Sequence, residues 1–260
     1  GNMGEALIRG LLDAARVQPQ QVIVSDVRAD VLEDFSEIRH LKTTTNAGEA
    51  VTAADIVVLA VKPQQMSQVL QGLRPVVQPR HLFISIAAGI PTRRIEEQLG
   101  GQPRVIRVMP NTPALLGKCA SAQCLGKWAV EEDARTSAAI MEAVGMPPLR
   151  VSEDKMDAVT ALSGSGPAYI FLVTEAMILA GIESGLNAEE AERLAIQTVY
   201  GAASMMLERR GEPAELRKKV TSPGGTTEAA LKVMSERKLM EIFRDAIAAA
   251  TKRGRELSGG

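Results

Sequence analysis

The sequence predicts an α/β chain in two parts, a doubly wound parallel sheet followed by a region of helices alone. Short apolar runs alternate with helical segments through the first half, which is how a parallel sheet with crossover helices reads. The run from Asp55 to Val61 lacks polar alternation, as strands buried on both faces do. Strand signals then stop near residue 151, and only helical periodicity follows. The expected domains are therefore 1–151 and 152–260.

The chain opens Gly1-Asn2-Met3-Gly4, ahead of Glu5 to Leu12 with helical apolar spacing. The two glycines fit the end of a G-x-G-x-x-G turn, the dinucleotide-binding fingerprint of a Rossmann-like sheet. The strand and first glycine that precede them in the pattern are absent from this sequence, so a central strand is expected to be missing. Gln21 to Asp26 reads as the next strand. Asp26 lies where the pattern places an acid at a ribose, while Ser25 and Arg28 suit a 2′-phosphate. A plain strand end and turn is the alternative for these three residues.

Asp55 to Val61 is a strong strand ended by Lys62-Pro63. His81 to Ile86 is another, ended by Ala87-Ala88-Gly89. Arg104 to Met109 is a third, ended by Pro110-Asn111-Thr112-Pro113. Helices are expected over 28–36, 64–71 and 92–99. Ligands of such sheets sit outside the C-terminal strand ends, so these three small-residue corners are expected to line one crevice. Ala120 to Leu125, Glu131 to Val144 and Leu149 to Val151 read as a short strand, a helix and an edge strand.

In the second half, Asp154 to Leu162 is helical and Ser163 to Pro167 interrupts it. The helix 168–183 is apolar nearly all round, which points to burial against another subunit. Asn187 and Glu190 form a capping-box start for a helix running to about Arg209. A short helix over 213–219 leads into Ser222-Pro223-Gly224-Gly225-Thr226-Thr227. Proline and two glycines cannot sit mid-helix, so this turn opens a helix over 226–236, and a last one runs from Lys238 to about Arg255. Free N–H groups and the positive dipole end there would suit a carboxylate, with Ser222, Thr226 and Thr227 adding hydroxyls. An ordinary capped turn is the competing reading.

Composition narrows the function. A net charge of -1 gives no sign of nucleic acid or an acidic membrane as partner, and no uninterrupted apolar run approaches a membrane span. The two cysteines, Cys119 and Cys124, are not spaced as C-x-x-C, and the two histidines lie far apart in the sequence, so a metal site or a Cys–His pair is improbable; none is assigned. His40 and His81 are expected at the surface. The cytoplasm is the default compartment. Hydride transfer suits so thin a supply of acid–base groups, since a cofactor carries the hard chemistry.

The chain resembles the pyrroline-5-carboxylate reductases. The likeness lies in the stretches already quoted, in Ala60-Val61-Lys62-Pro63 and Ser85 to Gly89, and in the run from Asp157 to Ala168. The resemblance implies NAD(P)H-dependent reduction of 1-pyrroline-5-carboxylate to L-proline, the last step of proline biosynthesis. It implies a dinucleotide-binding domain, then an all-α domain that interleaves with its partner's into a homodimer, often five to a decamer.

Carried over by motif, Asn2 and Met3 meet the pyrophosphate, and Ser25, Arg28 and Asn46 the adenosine end. Ala60, Val61, Lys62, Pro63, Ala87, Ala88 and Gly89 follow the cofactor toward its nicotinamide. Ser222 and the N–H groups of Gly225, Thr226 and Thr227 take the substrate carboxylate. The Thr227 hydroxyl approaches the ring nitrogen as the catalytic group, and Glu153 matches a product-binding position. NADPH is preferred over NADH because Ser25 and Arg28 outnumber Asp26. Two rivals stand beside this reading. One is a 3-hydroxyacid dehydrogenase, whose lysine in a glycine-rich setting has no match among Lys155, Lys218 and Lys219. The other is a catalytically idle nucleotide-binding protein.

Overall fold

The computed structural model describes residues 1–259, apart from the side chains of residues 36–39; Gly260, the last residue of the second predicted domain, lies outside the described residues. The chain divides into two compact units. One holds Gly1–Ser165 with the segment from Ala250 onward, the other Gly166–Ala249. The predicted boundary at 151/152 falls inside the first unit, just before a 3-10 turn at Glu153–Lys155.

The first unit is the α/β part. Its strands are β1 (Ile23–Ser25), β2 (Lys42–Thr44), β3 (Ile56–Leu59), β4 (Leu82–Ser85), β5 (Arg104–Met109), β6 (Ala122–Leu125) and β7 (Leu149–Arg150). Between them lie α1 (Asn2–Asp13), α2 (Ala29–Arg39), α3 (Ala47–Ala53), α4 (Pro63–Leu73), α5 (Thr92–Leu99) and α6 (Glu131–Met141). After β7 come α7 (Met156–Val159) and a π turn at Thr160–Gly164.

The strands form two hydrogen-bonded sheets. β1 pairs with β2 in parallel, and a five-stranded sheet runs β3-β4-β5-β6-β7. Among the described residues, β1 and β3 each have one strand neighbour. β3 is less buried than its apolar run predicts. Ile56 is 40% exposed, whereas the inner β4 is buried throughout.

One strand departs from the expected parallel set: β6 runs antiparallel to β5. A parallel return needs a crossover of a dozen or more residues, usually a helix. The residues between Met109 and Ala122 hold no α-helix to carry a crossover, only a 3-10 turn at Thr112–Leu116, and the chain doubles back. β2 and α3 were not predicted. The other elements fall within a few residues of their expected bounds, and α5 and β5 match them.

Two apolar clusters cover the five-stranded sheet. Leu59, Leu70, Phe83, Ile95 and Val105 lead one, and Leu7, Ile84, Ile106, Val108 and Met141 the other. His81 corrects the surface expectation, being 1% exposed and edge-on to Phe83 at 6.0 Å between ring centroids. Gln78 N–H donates to its Nδ1 at 3.1 Å. Burial, helped by the Arg80 charge and only partly opposed by Asp55, lowers its pKa and favours the neutral ring. His40 is exposed at the end of α2.

The second unit is helical, as predicted: α8 (Gly166–Glu183), α9 (Ala188–Leu207), α10 (Pro213–Lys219) and α11 (Thr226–Glu236). A last helix, α12 (Leu239–Ser258), begins here and ends among residues of the first unit. The capping box that starts α9 is complete: Asn187 N–H donates to Glu190 Oε2, and Glu190 N–H to Asn187 Oδ1, each at 2.9 Å. No residue of α8 is buried; Ile170, Phe171, Leu172 and Leu179 are among its exposed side chains. The helical run Glu153–Glu183 is long and apolar enough to cross a membrane by length and composition. The predicted break at Ser163 to Pro167 is milder than expected. It is the π turn, closed by Ser165 N–H to Thr160 O at 2.8 Å.

Candidate active site

Parallel strands β3, β4 and β5 are neighbours, so their C-terminal corners lie side by side. These corners are Val61 to Pro63, Ala87 to Gly89 and Pro110 to Pro113, the three predicted to share a crevice. Lys62 caps α4 and Pro63 begins it. Asn111 is spent on structure: its Nδ2 donates to Ser163 O at 3.1 Å, and its Oδ1 accepts from Ala120 N–H at 3.0 Å.

The start of α1 meets this edge. A Cβ added to Gly4 would stand 3.2 Å from Ala60 Cβ, a tight contact, so glycine lets the helix start come this close to the β3 corner without a shift. The first helical hydrogen bond is Glu5 N–H to Gly1 O at 3.1 Å. Among the described residues, no partner takes the N–H groups of Asn2 and Met3. A helix start with free donors beside strand ends fits a pyrophosphate without further help.

Ser25 and Arg28 lie at the adjoining corner, after β1. Asp26 is turned toward Arg28: its Oδ1 accepts Arg28 N–H at 3.0 Å and stands 3.6 Å from Arg28 Nε. The acid thus builds the turn that presents the arginine, whose side chain stays 60% exposed. Asn2 and Arg28 border one hollow of about 230 Å³ together with Gly1 and Arg9. Asn46 caps α3, its Oδ1 accepting from the N–H groups of Gly48 at 2.9 Å and Glu49 at 3.4 Å. That oxygen is engaged in the fold.

Glu153 is the most heavily bonded of the predicted ligands. Its Oε2 accepts the Thr92 hydroxyl at 2.6 Å and the Thr92 N–H at 3.2 Å. Its Oε1 accepts from Arg107 Nη1 at 2.6 Å. Burial pushes its carboxyl up, but the bonds from Thr92 and Arg107 and the arginine's charge outweigh this and hold it below the usual carboxylate range. Arg107 itself is 2% exposed on β5, with Asp157 Oδ1 3.6 Å from its Nη2. The neighbouring Cys124 thiol is pushed up to about 12 by burial and by Glu153, so it is not a nucleophile near neutrality.

In the second unit, the Ser222 turn opens α11 as predicted. Gly224 has φ +72°, a conformation that only glycine adopts cheaply. Gly225 caps the helix, but its N–H already donates to Ser222 O at 3.0 Å. The open donors are therefore Thr226 and Thr227, whose N–H groups have no partner among the described residues. Glu228 turns back so that its Oε2 accepts Gly224 N–H at 2.8 Å. A hollow of about 540 Å³ adjoins the turn, lined by Gly224, Gly225, Glu228 and Lys232 but not by Thr226 or Thr227.

The sequence reading missed Thr92 and Arg107. An arginine between Ile106 and Val108 in an apolar strand was the available signal, since a buried charge has to be paired. Among the described residues no cluster of His, Cys, Asp or Glu could hold a metal ion.

Fold and site together define a nucleotide-dependent oxidoreductase with a helical association region. Residues 1–89 match the family described as NADP oxidoreductase coenzyme F420-dependent, and residues 153–257 match pyrroline-5-carboxylate reductase dimerisation. The pyrroline-5-carboxylate reductase of Pseudomonas aeruginosa is 44% identical over 99% of this chain and 94% of its own length. A solved pyrroline-5-carboxylate reductase from Coxiella burnetii superposes with a TM-score of 0.93 at 41% identity, covering 99% of this chain and 96% of that one. The Plasmodium falciparum pyrroline carboxylate reductase, solved with NADP bound, has a TM-score of 0.88 at 29% identity, covering 99% and 95%. The chain belongs to the pyrroline-5-carboxylate reductase family. The apolar, uncovered helices from α8 onward lie within its dimerisation region.

Proposed function

We propose that the chain reduces 1-pyrroline-5-carboxylate to L-proline with NADPH. The observation that carries this is the start of α11, where the free N–H groups of Thr226 and Thr227 and the Thr227 hydroxyl stand together at a helix N-terminus. The two N–H groups and the dipole hold the substrate carboxylate, with Ser222 beside them. The Thr227 hydroxyl anchors the ring nitrogen, and Gly225 shapes the turn rather than donating. Bound NADPH supplies the hydride that the imine carbon accepts. An iminium is the better electrophile, so the ring nitrogen takes its proton from solvent before the hydride arrives.

The residues of the first unit fit that cofactor: donors at Asn2 and Met3, the close Gly4–Ala60 approach, and Arg28 for a 2′-phosphate. The neighbour solved with NADP bound supports the same choice. Self-association through the helical region is extended in this reading to a decamer of five dimers. It acts in the cytoplasm, with neither nucleic acid nor membrane as partner, in keeping with the net charge of -1.

Two assays test the proposal. Purified protein is given 1-pyrroline-5-carboxylate with NADPH or NADH, and in parallel 3-hydroxyacids with the oxidised cofactors. Oxidation of hydroxyacids without imine reduction would overturn it. For the cofactor, Arg28→Ala is expected to raise KM for NADPH about tenfold and leave KM for NADH nearly unchanged, since a charge-assisted pair with a phosphate is worth roughly 1.5 kcal/mol. Equal changes for both cofactors would remove Arg28 from the phosphate.

A further inference from the structure

We propose that Asn111 is a positioning residue: its side-chain amide fastens the corner after β5 to the π turn after α7, and so holds that corner in place for the nicotinamide end of the cofactor. This role rests on the proposed reading that NADPH lies along the strand corners. Two features of the chain create the need. A π turn widens the helix over Thr160–Gly164. Residue 167, which would give Ser163 O its regular i+4 helical hydrogen bond, is a proline without an N–H. The Ser163 carbonyl takes its donor from outside the helix instead: Asn111 Nδ2, at 3.1 Å.

The rest of the residue faces its own corner and the return leg toward β6. Asn111 Oδ1 accepts Ala120 N–H at 3.0 Å, and its backbone N–H donates to Cys119 Sγ at 3.5 Å. The Asn111 carbonyl accepts Ala114 N–H at 3.1 Å, which closes the 3-10 turn at Thr112–Leu116. Gly164, next to Ser163, packs on Met109, the last residue of β5: an added Cβ would stand 2.5 Å from Met109 Cε. Asn111 is 8% exposed and thus joins three segments at the C-terminal end of the sheet: the β5 corner, the leg at Ala120 and the π turn. An amide of this length donates and accepts at once, whereas an ionised carboxylate of the same size only accepts. The residue type therefore matches a tether with one acceptor and one donor to satisfy.

The test compares two nucleotides by isothermal titration calorimetry without any imino acid. One is NADPH; the other is adenosine 2′,5′-bisphosphate, which carries the adenosine end and no nicotinamide. Asn111→Asp keeps the size and the acceptor for Ala120 and loses the donor for Ser163. It is expected to weaken NADPH binding about threefold to tenfold, the scale of one neutral hydrogen bond, and to leave the bisphosphate unchanged. Asn111→Ala removes both bonds and should weaken NADPH at least as much, again with the bisphosphate unchanged. Hydrogen exchange read by mass spectrometry, without nucleotide, should be faster over 110–120 and 160–168 in both variants. Equal losses for the two nucleotides, unchanged NADPH affinity, or unchanged exchange in both segments would overturn the proposal. If Asn111→Asp does not fold, Asn111→Ala and Asn111→Ser, whose hydroxyl is too short to span both partners, decide by the same comparison. A native chain that bound neither nucleotide would overturn the cofactor reading and this role with it. Native binding with no difference in the variants would overturn this role alone.

Discussion

Arg107→Met is expected to destabilise the first unit by about 3–5 kcal/mol, the usual loss when one partner of a buried ion pair is removed. Methionine fills much the same space, so the loss is electrostatic. It leaves Glu153 and Asp157 facing each other's charge without the cation, and it frees the Thr92 end of α5 to move. Chemical denaturation followed by circular dichroism at several pH values checks this. The sign in the native chain follows from the Glu153 carboxyl being held below its usual 4.5. Its contribution to stability is complete above that value and fades as pH falls through the lower folded value. Arg107→Met keeps the Thr92 bonds and loses the arginine's share of that contribution, so the gap between the two proteins should be widest near neutrality and narrow on acidification below pH 4.5. A gap that stays constant across that range would mean the arginine acts through packing alone.

Thr227→Ala is expected to lower kcat about tenfold, since one hydrogen bond to the reacting ring is worth roughly 1–1.5 kcal/mol and 1.36 kcal/mol is a factor of ten. The backbone N–H remains, so carboxylate binding and KM for the imine should change much less. Thr227→Ser keeps the hydroxyl and should retain most of the turnover. Steady-state rates at saturating NADPH read both variants. If Thr227→Ala turned over as fast as the native chain, the hydroxyl would have no part in orienting the imine.

The elements that were legible in the sequence share a local cause. Pro213, the Pro223-Gly224-Gly225 turn and the Asn187–Glu190 box each fix a helix start within a few residues, and α9, α10 and α11 begin where they say. The apolar surface of α8 was legible because a helix without a polar stripe needs a second surface to cover it. What escaped is non-local or too short. β2 is Lys42, Thr43 and Thr44, a strand made by pairing with β1 rather than by an apolar run. The antiparallel turn into β6 goes with a β5–β6 connection that holds a 3-10 turn and no crossover helix, which strand propensity does not show. Buried His81 sits one residue before an inner strand and is covered by residues distant in sequence. The Thr92–Glu153–Arg107 contacts join residues 61 and 46 positions apart, and no spacing rule reaches that far. Motif likeness pointed to Glu153, but not to the internal partners Thr92 and Arg107 that orient it.

The most direct measurement of the central claim is isotope transfer. NADPH carrying deuterium at its reactive ring carbon is mixed with the protein and 1-pyrroline-5-carboxylate, and the product is examined by mass spectrometry and NMR. L-proline one mass unit heavier, labelled at the former imine carbon next to nitrogen, is the expected result. Proline without the label, or consumption of NADPH with no proline formed, would contradict the account.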